Sequence, residues 1–443
     1  MRLRGPAGGR AAGAVHVLLL ALAVGVALLA QSGCGGRPDT KVAIIGIDGM
    51  DWQLIDPMIE QGRMPNLAAL IDRGVRADFH SLEPEQKSPT IWTTIATGKG
   101  PQKHGITDFL EDTDEQPLFN SLGWRARPVW DILGEKGYTV GVINWLVSWP
   151  ALPVNGYFVS DRIAYTPEDG YEDAPETTYP EELLDELEPY RRSAVDTGDD
   201  EIAFLMNGDL WRSEHGIETP EWGGGETVRS LYAQDRTSLD VAQYLLSSRE
   251  QPDFFAVYFL GVDRCCHRFW GQMRPWTVDL IMSDEFIETF ENTIERYYEH
   301  MDAMLGQLLD SLDENSTVIV CSDHGFRGPL RTKEGIKLGI AMHRPTGVFV
   351  AAGPGIRSGA QVTDASVLDV APTVLALFGE PVGRDMDGFV LTGVIDEERL
   401  SDEPVAYVET YEKENGRPAR EEPVESPMDE EIKEELRSLG YIE

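Results

Sequence analysis

The sequence predicts an α/β fold: a central, mostly parallel sheet with helices on both faces and an inserted cap-like segment. Three observations support this prediction. Near-continuous apolar runs recur along the chain, as expected of strands that are buried on both faces. Helix-like segments separate several of these runs, and strands that alternate with helices build such sheets. Three of the runs are followed closely by acidic residues, and sheets of this kind bind ligands outside the carboxyl ends of their strands.

The first predicted strand is Lys41–Ile47, which ends at Asp48 and Gly49. Residues 65–74 predict a short helix, because Pro opens the segment and Gly closes it. β-Branched and aromatic runs predict later strands. These strands are 139–144, 254–260, 317–321 and 348–352.

Two later segments predict helices, and one segment interrupts the alternation. Apolar residues recur every three or four positions from Phe286 to Leu312, which predicts one long helix. Residues 367–378 predict another helix. Residues 166–225 are rich in acidic residues, Tyr, Pro and Gly. We interpret them as an insertion that forms a cap near the carboxyl edge of the sheet.

The N-terminus has the layout of an export signal, assigned to residues 1–34. Three arginines precede an apolar run of 14 residues at 17–30, and small residues surround Cys34. The run is short for a membrane span, which needs about 20 residues. Cys34 is a candidate for lipid attachment, as in a bacterial lipoprotein; plain secretion and an uncleaved anchor are the alternatives. Each alternative places the protein outside the cytoplasm, in the bacterial cell envelope or beyond.

The chain is strongly acidic, with 76 acidic and 38 basic residues and a formal net charge of −38. This charge excludes proteins that wrap nucleic acid by neutralising phosphates. Residues 41–395 are predicted to form the catalytic domain. The tail at 396–443 contains 17 acidic and 6 basic residues, and we expect it to be solvated with a short terminal helix.

Candidate metal ligands follow the predicted strands. Asp48 follows the first strand, Asp263 and His267 follow 254–260, Asp323 and His324 follow 317–321, and His343 precedes 348–352. Each residue alone has a structural explanation as a helix cap, a turn residue or a surface histidine. Together, three carboxylates and three imidazoles suit two divalent ions, with zinc expected and manganese possible.

An ordered set of motifs resembles the alkaline phosphatase superfamily, and within it the type I phosphodiesterase/nucleotide pyrophosphatase family. The motifs are IIGIDG at 44–49, MPNL at 64–67, SPTIWTTIATG at 88–98, HGI at 104–106, GVD at 261–263, SDHG at 322–325, GPGI at 353–356 and DVAPT at 369–373. The resemblance implies that Asp48, Asp323 and His324 hold one metal, and that Asp263, His267 and His343 hold the other.

The resemblance also implies a Ser or Thr nucleophile at a helix N-terminus. In relatives it lies nine residues before the Thr of a Thr-Gly pair, which here gives Ser88, with Thr90 as the alternative. The sequence departs from the family at Phe109, where an Asn that contacts phosphate is usual. That role then falls to metal ions, backbone N–H groups or another side chain, with Lys87 and Lys99 as candidates. Sulfatases of this fold need Pro and Arg two and four residues after the residue that is converted to formylglycine. After Ser88 this chain has Thr90 and Trp92 at those positions, which disfavours a sulfatase.

These observations predict an exported two-metal phosphohydrolase that cleaves a small phosphate ester, with a diester favoured, through a covalent phospho-enzyme. The alternatives are a phosphomonoesterase of the same fold and a non-catalytic binding protein of the envelope. Cys265 and Cys266 are interpreted as small residues beside the ligands, and Cys321 as a core residue. Four tryptophans are interpreted mainly as core residues, with stacking on a substrate base as the alternative. They are Trp145, Trp149, Trp270 and Trp276.

Overall fold

The computed structural model describes Met1 and residues 40–213, 224–277, 282–328, 331–332, 335–336, 342–413 and 426–442. Cys34 and the rest of the predicted leader beyond Met1 lie outside the described residues. Lys41–Glu443 form one compact unit. Among the described residues, no helix has the length and apolar character needed to cross a membrane.

Strands and helices alternate through most of the described chain. The strands are β1 Lys41–Ile47, β2 Val75–His80, β3 Val140–Trp145, β4 Gly156–Ser160, β5 Thr178–Tyr179, β6 Phe254–Phe259, β7 Ser316–Cys321, β8 Gly325–Arg327, β9 Arg331–Thr332, β10 Gly335–Ile336, β11 Met342–Arg344, β12 Thr346–Ala352, β13 Ala360–Ser366, β14 Val382–Gly383 and β15 Tyr407–Val408.

The helices flank the sheet and connect its strands. They are α1 Trp52–Glu60, α2 Pro65–Arg73, α3 Ser88–Thr97, α4 Pro101–His104, α5 Val129–Glu135, α6 Leu183–Leu187, α7 Asp199–Ile202, α8 Gly208–Ser213, α9 Gly224–Ser248, α10 Gly261–Met273, α11 Asp284–Phe290, α12 Thr293–Leu309, α13 Val370–Leu377, α14 Glu397–Asp402 and α15 Asp429–Leu439.

Nine of the described strands form one sheet in the order β13-β2-β12-β7-β1-β6-β3-β4-β5. β1 lies at its centre and pairs in parallel with both β6 and β7. β12 is antiparallel to its neighbours β2 and β7, and β5 is antiparallel to β4. The sheet is therefore mostly parallel, and the predicted α/β class is confirmed.

The apolar runs form the centre of this sheet because they can be covered on both faces. Every residue of β3, β6 and β7 is buried, as are six of the seven residues of β1. The predicted strands agree with these elements to within one or two residues. Within the predicted insertion, residues 166–213 contribute the edge strand β5 and the short helices α6 to α8, and residues 224 and 225 begin α9.

The long helix predicted at 286–312 is wrong as a single element. The chain forms α11 and α12 instead, and these are separated at Glu291 and Asn292. Ser283 caps α11 by accepting a hydrogen bond from the backbone N–H of Phe286. Asn is a weak helix former because its side chain competes for backbone groups, and the apolar periodicity continues unchanged across the break.

The tail is also less solvated than its composition indicates. Met428, which directly precedes α15, is 1% exposed, and Ile432 and Leu436 on α15 are 4% and 3% exposed. They pack in a small apolar cluster with Leu118 and Trp149. A charged segment can still pack when its few apolar residues share one helix face, as these do. The predicted terminal helix is present, but the expectation that it is solvated is wrong.

Candidate active site

The register of the three central strands brings the predicted ligands to one edge. Ile47 of β1 lies opposite Phe259 of β6, and Gly46 lies opposite Cys321 of β7, so the strands end side by side. Asp48 follows β1 directly. Parallel strands that end together deliver the residues after them to one place.

The other five predicted ligands lie on helix α10, shortly after strand β7 and on the strand pair β8–β11. Helix α10 begins after β6 with only Leu260 between them, and it carries Asp263 and His267, which lie one turn apart. Asp323 and His324 follow β7. His343 lies on β11, opposite Phe326 of β8, which returns it to the same edge. All six predicted ligands therefore meet, although they are spread over nearly 300 residues of sequence.

Asp48, Asp323 and His324 form the first cluster. The Nε2 atom of His324 lies 3.3 Å from Oδ1 of Asp48 and 3.4 Å from Oδ2 of Asp323. One ligand atom from each residue lies within 4.8 Å of the other two, which is close enough to share a metal ion. All three side chains are at most 2% exposed.

Asp263, His267 and His343 form the second cluster beside it. Oδ1 of Asp263 lies 3.3 Å from Nε2 of His267 and 3.6 Å from Nε2 of His343. The Nε2 atoms of His267 and His343 are 2.9 Å apart. The rings of His324 and His343 stack at 3.6 Å, so the two clusters are in contact.

The charges of this cluster shift the pKa values of its members in opposite directions. Burial acts to raise the pKa of Asp48, but its hydrogen bond and ion pair with His324 hold that pKa below its ordinary value. Burial, with the negative charge of Asp48, raises the pKa of Asp323 well above its ordinary value. Burial and the charges of His324 and His267 lower the pKa of His343 well below its ordinary value.

Three buried polar atoms of these residues lack hydrogen-bond partners among the described residues, which also fits divalent cations. Oδ1 of Asp263, Oδ2 of Asp323 and Nδ1 of His267 are buried, and each lacks a hydrogen-bond partner in the described part of the chain. Buried polar atoms normally have partners, and a carboxylate oxygen without one suits a metal ion. Carboxylate and imidazole are ligands that zinc and manganese accept.

Ser88 and Thr90 occupy different positions relative to the ligands. Ser88 is the first residue of α3, and its Oγ lies 3.5 Å from Oδ1 of Asp48 and 3.4 Å from Nε2 of His324. Thr90 is fully buried, and its Oγ1 has no hydrogen-bond partner in the described residues. Ser88 lines the cavity described below, whereas Thr90 does not.

Two residues that hold Asp48 were missed by the sequence reasoning. The hydroxyl of Tyr258 donates to Oδ2 of Asp48 at 2.6 Å, and Nε1 of Trp92 donates to the same oxygen at 2.9 Å. Tyr258 lies opposite Gly46 in the sheet register. The sequence does contain one indication of the role of Tyr258. It is a tyrosine within the otherwise apolar strand β6, and a buried hydroxyl needs a hydrogen-bond partner.

The model of the type I phosphodiesterase/nucleotide pyrophosphatase family matches residues 42–371. The chain belongs to this family. The match spans most of the chain, from β1 through the first residues of α13, and therefore includes all six predicted ligands and Ser88. The resemblance inferred from the motifs is confirmed, and the chain is a phosphate-ester hydrolase of the phosphodiesterase type.

This phosphodiesterase is similar to solved structures at low sequence identity. A sulfatase candidate from Bacteroides thetaiotaomicron VPI-5482 aligns with a TM-score of 0.51 at 12% identity, covering 84% of this chain and 76% of that one. Murine ectonucleotide pyrophosphatase/phosphodiesterase 5 aligns with a TM-score of 0.46 at 12% identity, covering 77% of this chain and 95% of that one. No curated protein matches the chain.

A cavity beside Ser88 completes the site of the phosphodiesterase. Its polar end is formed by Asp48, Ser88 and Asp263. Its apolar wall is formed by residues from several loops and from α15. These residues are Phe109, Leu118, Phe119, Leu146, Ile432 and Leu436. Arg162 and Arg264 also line it, and both are ion-paired with acidic residues of α15, Asp429 and Glu435.

The two lysines considered for contact with phosphate are engaged elsewhere. Nζ of Lys99 donates to Asp385 and Glu412 at 2.6 and 2.7 Å. Nζ of Lys87 donates to Asp108 and to the backbone carbonyl of Tyr441, both at 2.8 Å. Neither lysine lines the cavity.

The cysteines and tryptophans are mostly core residues, as interpreted from sequence. Cys265, Cys266 and Cys321 are at most 1% exposed, and burial raises the pKa of each thiol above its ordinary value. Protonated thiols are poor metal ligands. Three of the four tryptophans named above are also buried, whereas Trp276 is 73% exposed.

Proposed function

We propose that this phosphodiesterase cleaves a phosphate ester by transferring the phosphoryl group to Ser88. The observation that carries the proposal is the position of Oγ of Ser88, at the N-terminus of a ten-residue helix and within 3.5 Å of both Asp48 and His324. A helix N-terminus favours a bound anion because its N–H groups and dipole are positive.

In the proposed reaction, Oγ of Ser88 attacks phosphorus and the bond from phosphorus to the leaving oxygen breaks. The leaving group departs as an alcohol, and the proton of the serine hydroxyl balances the reaction. Water then attacks the phosphoserine, which releases the phosphate product and restores the hydroxyl. Trp92 and Tyr258 keep Asp48 oriented throughout, because both donate to its Oδ2.

Two divalent ions would be held by the two clusters, one by Asp48, Asp323 and His324 and the other by Asp263, His267 and His343. When bound, such ions lower the pKa of a hydroxyl and neutralise charge on phosphoryl oxygens. Zinc is the proposed metal, with manganese as the alternative. The apolar wall of the cavity supports an ester that carries an apolar or aromatic group, and a diester is favoured over a monoester.

Ser88→Ala is the deciding variant. We expect turnover of bis-4-nitrophenyl phosphate to fall by at least 1,000-fold, because the nucleophile is lost, while both metal ions stay bound. Thr90→Ala is the matched control and should retain activity. An active Ser88→Ala together with an inactive Thr90→Ala would transfer the role to Thr90.

Removal of metal tests the cofactor. Dialysis against a chelator should abolish activity, and zinc or manganese should restore it; activity that survives in metal-free protein would contradict the proposal. 4-Nitrophenyl phosphate and 4-nitrophenyl sulfate distinguish monoester and sulfate hydrolysis from the proposed diester hydrolysis.

We also propose that the protein is exported to the bacterial envelope and attached to a membrane through lipid on Cys34. The support is the arrangement of charged, apolar and small residues at 1–34. Cys34→Ala should release the protein from the membrane fraction, if lipid on that residue is the anchor.

A further inference from the structure

The last residues of the chain lie against the candidate active site. Helix α15 ends at Leu439, and Gly440 adopts a φ of +81°, which turns the chain back. The N–H of Tyr441 then donates to the carbonyl of Leu436 at 3.0 Å. This local geometry directs the side chain of Tyr441 toward the metal ligands.

Tyr441 is held there by contacts on three sides. Its hydroxyl donates to Oδ2 of Asp263, and its ring centroid lies 4.9 Å from that of His267. Its ring also packs against Phe109, with the centroids 5.1 Å apart. Its backbone carbonyl accepts the hydrogen bond from Lys87, the residue that precedes Ser88.

The two oxygens of Asp263 consequently have different surroundings. Oδ1 faces His267, His324 and His343 at 3.3 to 3.6 Å and has no hydrogen-bond partner in the described residues. Oδ2 accepts the hydrogen bond from Tyr441. One oxygen is therefore available to a cation, while the hydroxyl orients the other. Hydrogen bonds of this kind orient metal ligands, and their loss typically weakens metal binding by about 10- to 100-fold.

The terminal segment, residues 428–442, forms a wall of the site and does not fill it. Ile432 and Leu436 line the cavity, and space remains between them and Ser88. Asp429 pairs with Arg162 at 3.0 Å, and Glu435 pairs with Arg264. Both arginines are at most 8% exposed, so these ion pairs attach the segment to the catalytic domain.

We propose that Tyr441 is a positioning residue for Asp263, and that the terminal segment is needed to complete the second metal cluster. The proposal rests on the proposed function only in taking the two clusters as metal sites, and metal binding can be measured without turnover. It assigns a role in the site to residues about 180 positions away from Asp263 in the sequence, beyond the part that the family model matches.

The test is zinc binding to the full chain and to Tyr441→Phe, measured by competition with a chromophoric chelator. We expect two sites in the unmodified protein and, in the variant, one site weakened 10- to 100-fold with the other unchanged. Tyr411→Phe is the matched control, because it also removes a hydroxyl hydrogen bond, to the carbonyl of Pro381 at 2.6 Å, away from the clusters. A chain that ends at Gly440 should reproduce the effect of Tyr441→Phe.

Unchanged affinity at both zinc sites in Tyr441→Phe and in the shortened chain would overturn the proposal. So would higher turnover with unchanged zinc affinity, because the segment would then obstruct the substrate. Thermal unfolding of the metal-free variants verifies that they are folded. Wild-type protein that binds two zinc ions but hydrolyses no phosphate ester would contradict the proposed function, while the zinc comparison would still decide the role of Tyr441.

Discussion

At the scale of single residues, the two oxygens of a buried carboxylate in the site have different contacts. Oδ2 of Asp48 accepts hydrogen bonds from Trp92 and Tyr258, whereas Oδ1 lies beside Ser88 and His324. Oδ2 of Asp263 accepts a hydrogen bond from Tyr441, and its Oδ1 faces the histidines. In both cases neutral donors fix the carboxylate without neutralising its charge, which stays available to a cation.

Gly49, directly after Asp48, lies in a tightly packed part of the site. Its φ is +74°, and an added Cβ would lie 2.6 Å from the ring of Phe326 and 2.8 Å from Cα of Asp263. Gly49→Ala should lower the free energy of unfolding by on the order of 3 kcal/mol, since left-handed strain and overpacking add.

Gly62→Ala is the control for backbone strain alone. Gly62 has a φ of +72° with no atom within 4 Å of an added Cβ, so about 1 kcal/mol is expected. Equal losses for the two variants in urea unfolding would show that packing at Gly49 contributes nothing.

At the scale of elements, the start of α10 is anchored by a side chain from another helix. Asp235 of α9 is buried and accepts hydrogen bonds from the backbone N–H groups of Leu260 and Gly261 and from the hydroxyl of Tyr297. Burial raises the pKa of Asp235 to about 6. These bonds fix the end of α10 that carries Asp263.

Asp235→Ala should therefore affect both stability and activity. Three donors lose their acceptor, and we expect a loss of about 3 kcal/mol in the free energy of unfolding, with weaker metal binding. Asp240→Ala on the same helix is the control, because the half-buried Asp240 pairs with the side chains of Arg192 and Arg236 and should cost about 1 kcal/mol. If Asp235→Ala costs no more than the control in urea unfolding, the anchoring argument fails.

At the scale of the whole molecule, the acidic chain must still hold an anionic substrate. The net charge of −38 includes the three carboxylates at the site, which two divalent ions would more than neutralise. The arginines beside the cavity do not supply this positive charge, because α15 neutralises them. In the proposed site, the metal ions would therefore decide the local charge.

His104 is expected to make the free energy of unfolding depend on pH. It is fully buried; its Nδ1 accepts from the N–H of Ile106 at 3.1 Å, and its Nε2 bonds to Oγ1 of Thr94 at 3.0 Å. Burial lowers its pKa from 6.5 to about 3. The unfolded chain then binds the proton more tightly, so stability is present above pH 6.5 and is lost as pH falls toward 3, by about 1.4 kcal/mol per pH unit.

His104→Asn keeps an acceptor for Ile106 but does not titrate. Between pH 7.5 and 5, its free energy of unfolding should change by about 2 kcal/mol less than that of the wild type in urea titrations. His80→Asn, which makes the same substitution at an exposed histidine, is the control for the substitution itself. A wild-type profile for His104→Asn would contradict this account.

The sequence alone determined the fold class and the family, and it predicted six candidate ligands that the structure brings together. It could do so because these depend on local patterns: apolar strands, the residues that follow them, and motifs in a fixed order. It could not determine the break between α11 and α12, since the apolar period runs through it, or the partners of Asp48 and Asp263. Trp92, Tyr258 and Tyr441 come from three distant segments, and nothing in their local sequence states which carboxylate they meet. Only the sheet register, the packing of α3 and the docking of α15 bring these hydroxyl and indole groups to carboxylates whose burial requires donors.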